Sequence, residues 1–222
     1  MSFIWDYIMY PFTPASTHMI CGQSGAGKSV HVYKMLQNLD NIFGDNPPTK
    51  VKYFYGIWTP LYDEMKQTIK DITFQKDLPT LQELDEFTDP NNHTLCVLDD
   101  VMHSAVDSEV VELIFTRISH HRNLSCLYLV QNIFPQGKRS RNISLNTKYL
   151  HLFSNPRDLL QIKCLGSQLY PGKSEVMVEA YQDCLKQPYG YLIVDLTPHT
   201  PHTHRLRTSI FENESTIVYV PK

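Results

Sequence analysis

The chain has 222 residues and a formal net charge of −3, a length that suits one domain at roughly 150 residues per domain. Hydrophobic residues make up 42% and charged ones 19%, which excludes a chain disordered by composition. The mildly acidic balance excludes a histone-like or arginine-rich protein with a global basic field.

In chain order, residues 1–14 are read as an N-terminal segment, 15–197 as the core and 198–222 as a C-terminal extension of a single domain. The opening MSFIWDYIMY has no basic n-region and carries Asp6, so no signal peptide is expected. Its apolar cluster (Phe3, Ile4, Trp5, Tyr7, Ile8, Met9) reads as core or subunit contact rather than a membrane anchor. The uncharged stretch 7–27 holds Pro11, Pro14, Ser16, Thr17 and His18; a spanning helix needs about 20 mainly apolar residues. The five cysteines (Cys21, Cys96, Cys126, Cys164, Cys184) are odd in number and lack CxxC spacing. They predict reduced, buried thiols in an intracellular protein.

Residues 16–21 (STHMIC) read as a short strand, 30–39 as a helix, and the β-branched and aromatic run 51–58 (VKYFYGIW) as a strand. A helix is predicted over 80–87, with Thr80 as its N-cap. The continuous apolar run 94–98 (TLCVL) suits a strand covered on both faces. Val110, Val111, Ile114, Phe115 and Ile118 recur at helical spacing over 107–121. Residues 124–130 and 148–153 read as further buried strands. Asn155 and Pro156 suit the N-cap and first position of the next helix, with Asp158 near its positive end. A helix over 174–186 and a strand over 190–196 follow, then a loop and a peripheral strand. This alternation predicts an α/β fold, a mainly parallel sheet with helices on both faces.

Residues 22–29, GQSGAGKS, fit G-x-x-x-x-G-K-[ST], the P-loop pattern. The glycines let successive N–H groups turn toward phosphate oxygens, and the following helix offers its N-terminus to the same anion. The nucleotide-binding set is Gly22, Gln23, Ser24, Gly25, Ala26, Gly27, Lys28, Ser29 and Val30, with ATP as ligand. Lys28 reaches the outer phosphates and the Ser29 hydroxyl can ligate Mg²⁺. A glycine-rich turn beside a surface lysine would give the same letters without the preceding strand and following helix.

Leu98-Asp99-Asp100 closes the 94–98 strand. Asp99 is the candidate for the magnesium shell and Asp100 the candidate base for the attacking water; a pair of solvated turn aspartates is the plain alternative. Gln131, at the end of the 124–130 strand, can sense the terminal phosphate. Arg122, or Arg117, is the candidate arginine finger acting on a neighbouring subunit, with Arg139 and Arg141 in reserve. A solvated helix end would account for Arg117 and Arg122 equally well.

Together GQSGAGKS, VLDD, ISHHRN and LVQN resemble the FtsK/HerA superfamily of pumping ATPases. Within it they resemble the genome-packaging ATPases of poxviruses, related large DNA viruses and Maverick/Polinton elements. KYLHLFSNPRD, QLYPGK and PYGYLIVDLTP…RLRT extend the resemblance over roughly residues 16–211. It implies a three-layer ASCE or RecA-like P-loop core with strand order 5-1-4-3-2 and peripheral C-terminal strands. It also implies a homo-oligomeric ring that hydrolyses ATP with Mg²⁺ to push double-stranded DNA into a preformed capsid, docking on that capsid or its portal vertex inside an infected cell. Many relatives carry glutamate where this chain has the shorter Asp100. Neither an appended nuclease domain nor a winged-helix module is evident.

Lys138, Arg139, Arg141, Lys148, Arg205 and Arg207 are candidate DNA contacts, because gripping phosphate needs only charge. His199, His202 and His204 lack a cysteine or carboxylate at ligand spacing and read as a polar turn. Two other functions share the P-loop: a small nucleoside or nucleotide kinase, and a nucleotide-switched capsid-assembly protein without turnover.

Overall fold

The structure, a computed structural model, describes residues 2–5, 11–101, 108–134, 137–212 and 214–221. Tyr7, Ile8 and Met9 of the N-terminal cluster, and the first residue of the helix expected over 107–121, lie outside them.

The apolar runs form the centre of one sheet. The elements are β1 (Ser2–Trp5), β2 (Thr17–Cys21), α1 (Lys28–Gln37), α2 (Leu39–Phe43), β3 (Lys50–Tyr55), α3 (Pro60–Thr68), β4 (Ile72–Lys76), α4 (Leu81–Phe87) and β5 (Thr94–Asp99). Then come α5 (Glu109–Leu113), a π-helical turn (Ile114–Ile118), α6 (Ser119–His121), β6 (Leu124–Val130), α7 (Ser140–Leu145), β7 (Tyr149–Phe153), α8 (Leu159–Leu169) and α9 (Glu175–Cys184). β8 (Tyr191–Asp195), β9 (Leu206–Thr208) and β10 (Ile217–Val220) close the chain.

Spatially the strands run β1-β10-β9-β8-β7-β2-β6-β5-β3-β4. The five central parallel strands β7-β2-β6-β5-β3 stand in the expected order 5-1-4-3-2. β4 adds a parallel strand at one edge. β8, β9, β10 and β1 extend the other edge antiparallel, so the C-terminal strands belong to the main sheet.

β2, β5, β6 and β7 are buried along their whole length, and alternate residues of the central strands feed two cores. Leu95, Val97, Leu127 and Leu129 pack with Val32, Met35 and Leu36 of α1. Cys96, Leu98, Cys126 and Tyr128 pack with Val111, Ile114 and Phe115, and with Ile162 and Met177. These two cores are the interfaces of a three-layer α/β architecture.

Local chemistry sets several element ends. Thr80 caps α4 in a capping box: the Glu83 N–H donates to Thr80 Oγ1 (3.2 Å), and the Thr80 N–H donates to Glu83 Oε2 (2.7 Å). The helix after β7 starts later than Asn155 and Pro156 suggest, with Asp158 in the N-cap position. Asn155 serves the turn before it, its Oδ1 accepting from the Arg157 N–H (3.2 Å) and its Nδ2 donating to Asp158 (2.8 Å). The strand expected over 51–58 stops at Tyr55, and the helix expected over 107–121 is interrupted by its π-helical turn. Four of the cysteines are buried thiols as expected, but Cys164 is exposed on α8.

Candidate nucleotide site

β2 ends at Cys21 and hands the chain to the P-loop, whose turn is completed by Gly27 at φ 99 before α1 begins at Lys28. Only glycine takes this left-handed conformation without strain. The first intrahelical bond runs from the His31 N–H to the Gly27 carbonyl (2.9 Å), and no side chain caps the helix. The N–H groups of Lys28, Ser29 and Val30 therefore have no acceptor within the helix, the geometry that attracts phosphate. Lys28 folds back over the loop, its Nζ donating to the carbonyls of Gly22 (2.6 Å) and Gln23 (3.0 Å). Burial holds its pKa below the ordinary lysine value, against the opposing pull of Asp99.

Asp99, at the end of β5, is the hub of the site. Its Oδ2 accepts from Ser29 Oγ (2.9 Å), from Tyr53 OH (2.6 Å) and from Tyr62 OH (3.0 Å), and the residue is 6% exposed. β3 pairs with β5 in the register Tyr55↔Asp99 and carries Tyr53, while α3 supplies Tyr62. Burial, with Asp99 next, pushes the ionisation of both tyrosines well up, so both stay hydroxyl donors. Sequence reasoning missed both; their hydroxyls converge only once β3 and α3 pack beside β5.

Asp100 follows, exposed and at φ 54. Its carbonyl oxygen occupies the space that a Cβ on Gly56 would need, so position 56 admits glycine alone without a shift. Gln131 leaves the end of β6, and its carbonyl accepts from Asn155 Nδ2 (3.3 Å). Lys28, Ser29, Asp99, Asp100 and Gln131 all line one cavity of about 1160 Å³. Ser24, Gly25, Gly27 and Val30 line it too, whereas Gly22, Gln23 and Ala26 do not.

The fold does not bring the arginines to this cavity within one chain. Arg117 is exposed on the π-helical turn, and Arg122 pairs with Asp85 (2.9 Å). Three of the expected DNA contacts are structural instead. Lys148 Nζ donates to the Ala15 carbonyl (3.0 Å). Arg205 donates to the carbonyls of Asp195 (2.7 Å) and Thr197 (3.0 Å). Arg207 lies 2% exposed in β9, ion-paired with Asp195 (3.2 Å). Arg139 pairs with Glu112 (2.8 Å), and Lys138 and Arg141 are exposed. His199, His202 and His204 build a turn, and among the described residues no cluster of three or more ligating side chains is placed to hold a metal.

A second polar cluster, also unread in the sequence, lies under α1. Ser16 Oγ meets His18 Nε2 (2.8 Å), His18 Nδ1 meets His151 Nε2 (3.1 Å), and His151 Nδ1 meets His31 Nε2 (3.0 Å). All are buried, and burial holds the three imidazoles neutral; His31 is pulled down to about 3.

No protein-family model matches the sequence, and no curated protein matches it. Solved structures do match. The DNA-packaging ATPase B204 from Sulfolobus Turreted Icosahedral Virus superposes with a TM-score of 0.55 at 10% identity, over 83% of this chain and 94% of that one. The genome packaging NTPase B204 of Sulfolobus turreted icosahedral virus 2, solved with ATP-gammaS, gives 0.52 at 12% identity, over 85% and 96%. The chain shares the fold of these two proteins.

Proposed function

We propose that the protein is an ATP hydrolase of the FtsK/HerA type that packages double-stranded DNA into a viral capsid, working as a homo-oligomeric ring in the infected cell. The bond from Ser29 to Asp99 carries this reading. It joins the phosphate-facing start of α1 to the carboxylate of β5 inside the shared cavity. A hydroxyl and a carboxylate oxygen are the donors that a hard divalent cation prefers, so Ser29 and Asp99 are the residues that would hold Mg²⁺. The ion when bound would supply charge neutralisation at the phosphates. The uncapped N–H groups of α1 and the Lys28 ammonium bind and orient the phosphate chain. Asp100 takes the proton of the attacking water and Gln131 orients that water. Arg122, or Arg117, reaches the neighbouring subunit's site, which fits the absence of both from the lining of their own chain's cavity. The exposed Lys138, in the turn before α7, and Arg141, on the first turn of α7, can grip DNA phosphates, while a net charge of −3 favours transient hold over tight binding.

The test is Mg²⁺-dependent ATP hydrolysis by the purified chain, with and without duplex DNA. Stimulation by DNA and loss of turnover in Lys28→Ala are expected. Transfer of phosphate to a nucleoside, or ATP binding with no turnover under any DNA condition, overturns the proposal. Mixed rings of Lys28→Ala and Arg122→Ala subunits should regain activity if the arginine acts in trans.

A further inference from the structure

The cavity does not end at the phosphate cradle. β6 and β5, with Gln131, Asp99 and Asp100 at their ends, lie on one side of β2 in the sheet; β7, β8 and β9 lie on the other. β8 runs antiparallel to β7 and starts opposite Phe153, the last residue of β7, so the turn leading into β8 stands at the same sheet edge as the P-loop. Thr208 ends β9 at that edge as well. The cavity therefore has two arms about the P-loop. One holds the carboxylates and Gln131. The other is walled by Tyr189, Phe211 and Glu214, and the start of α1 adds Val30 and Lys34.

Tyr189 is the unusual member of this second arm. It is a large aromatic residue, yet it is 73% exposed. Its backbone sits at φ 56, a conformation in which a bulky L-residue is strained. The ring lies against the P-loop: a Cβ on Gly27 would come within 3.0 Å of Tyr189 Cδ1. The turn that presents it is pinned. The Gly190 N–H donates to the Gln187 carbonyl (3.0 Å), and Gly190 admits no Cβ because the Cys184 carbonyl fills that space. Val30, on the first turn of α1, is also apolar and half-exposed at 49%. An exposed aromatic face held in a strained conformation suits a ligand surface better than a packing role.

Building on the phosphate site proposed above, we infer that this second arm is a nucleobase subsite, in which the Tyr189 ring is the stacking platform for the base of a bound nucleoside triphosphate. A phosphate chain seated on the N–H groups of Lys28, Ser29 and Val30 has its terminal phosphate toward Asp99 and Asp100. The nucleoside then leaves the cradle on the opposite side, where Val30 and Tyr189 meet it. Stacking on an aromatic ring adds affinity through the π-face that every base offers.

The experiment is isothermal titration of the full chain with ATP and with tripolyphosphate, each with Mg²⁺. Tyr189→Gly removes the ring and accepts the positive φ, so the variant stays folded, which its thermal unfolding checks. It is expected to lose about tenfold or more in ATP affinity and to keep its affinity for tripolyphosphate, which has no base. Tyr189→Phe is expected to keep both. Equal weakening of both ligands in Tyr189→Gly, or no weakening of ATP, overturns the inference. Lys28→Ala separately tests the reading beneath it: that variant should weaken both ligands, and if it weakens neither, the phosphate site itself is wrong.

Discussion

Two buried polar clusters touch α1 only two residues apart, and they follow opposite rules. At Ser29, three hydroxyls donate to one carboxylate oxygen of Asp99 at the cavity wall. At His31, a chain of imidazoles from His18 through His151 lies buried in the layer between α1 and the sheet. The first cluster gathers charge and aims it at the cavity. The second avoids charge, because each neutral imidazole both donates and accepts, so its bonds are satisfied without an ion in the core. The proposed function gives the first cluster a chemical role and leaves the second a structural one, and substitutions should separate the two.

The largest expected effect is at the charged cluster. Asp99→Asn should cut ATP turnover about a hundredfold or more while the protein unfolds near its normal temperature; a steady-state hydrolysis assay paired with calorimetry reads both. The reverse pattern belongs to the other cluster. His151→Ala removes two imidazole contacts and leaves a cavity, so a loss of about 3 kcal/mol of stability is expected, seen in chemical denaturation. Turnover of the fraction still folded at low temperature should change little. If His151→Ala instead abolished turnover in fully folded protein, the division of roles would fail.

Acidity should find the histidine chain next. Its members are neutral in the native state and protonate when unfolded, so the unfolded chain binds more protons below about pH 6.5. Stability is therefore complete above that pH and falls as the pH drops toward the native value, which for His31 is about 3. By pH 5, His31 alone should cost about 2 kcal/mol. Arg207 and Lys148 near His18, and Lys34 near His31, add positive charge that disfavours protonation in the fold. Denaturation midpoints from pH 8 to pH 4.5 measure this slope, and a flat profile would remove the neutral-chain account. The smallest effect is expected from Tyr53→Phe, about 1 kcal/mol. It should appear as a raised Mg²⁺ requirement for hydrolysis, with stability nearly unchanged.

What the sequence revealed was local. The glycine spacing of 22–29, the apolar runs of β5 and β6 and the Thr80 cap are each written within a few consecutive residues, and each forms where expected. α3 and β4 went unread. β4 is a half-exposed edge strand, so its residues show no continuous apolar run. Tyr53 and Tyr62 stand 46 and 37 positions from Asp99 and meet it only when β3 and α3 pack beside β5. His18 and His151 are 133 positions apart and meet through β2 and β7. Arg207 looked like a basic loop residue because nothing adjacent to it announces β9 or its partner Asp195. Non-local convergence hid the site residues, while the half-exposed pattern of an edge strand hid β4.

The contact between Gly56 and Asp100 has a mechanical side. Because the Asp100 carbonyl fills the space beside Gly56, the lips of β3 and β5 have no slack between them. The Gly56 N–H also donates to the Asp99 carbonyl (3.1 Å), so the two lips are latched as well as jammed. A displacement of Asp100 is therefore expected to carry residue 56 with it, and with it the exposed Ile57 and Trp58. The indole N–H of Trp58 donates to Asp63 Oδ1 (3.3 Å) on α3, the helix that also carries Tyr62. The chain thus carries its own lamp beside the candidate base: a shift of Asp100 is expected to change the emission of the half-exposed Trp58.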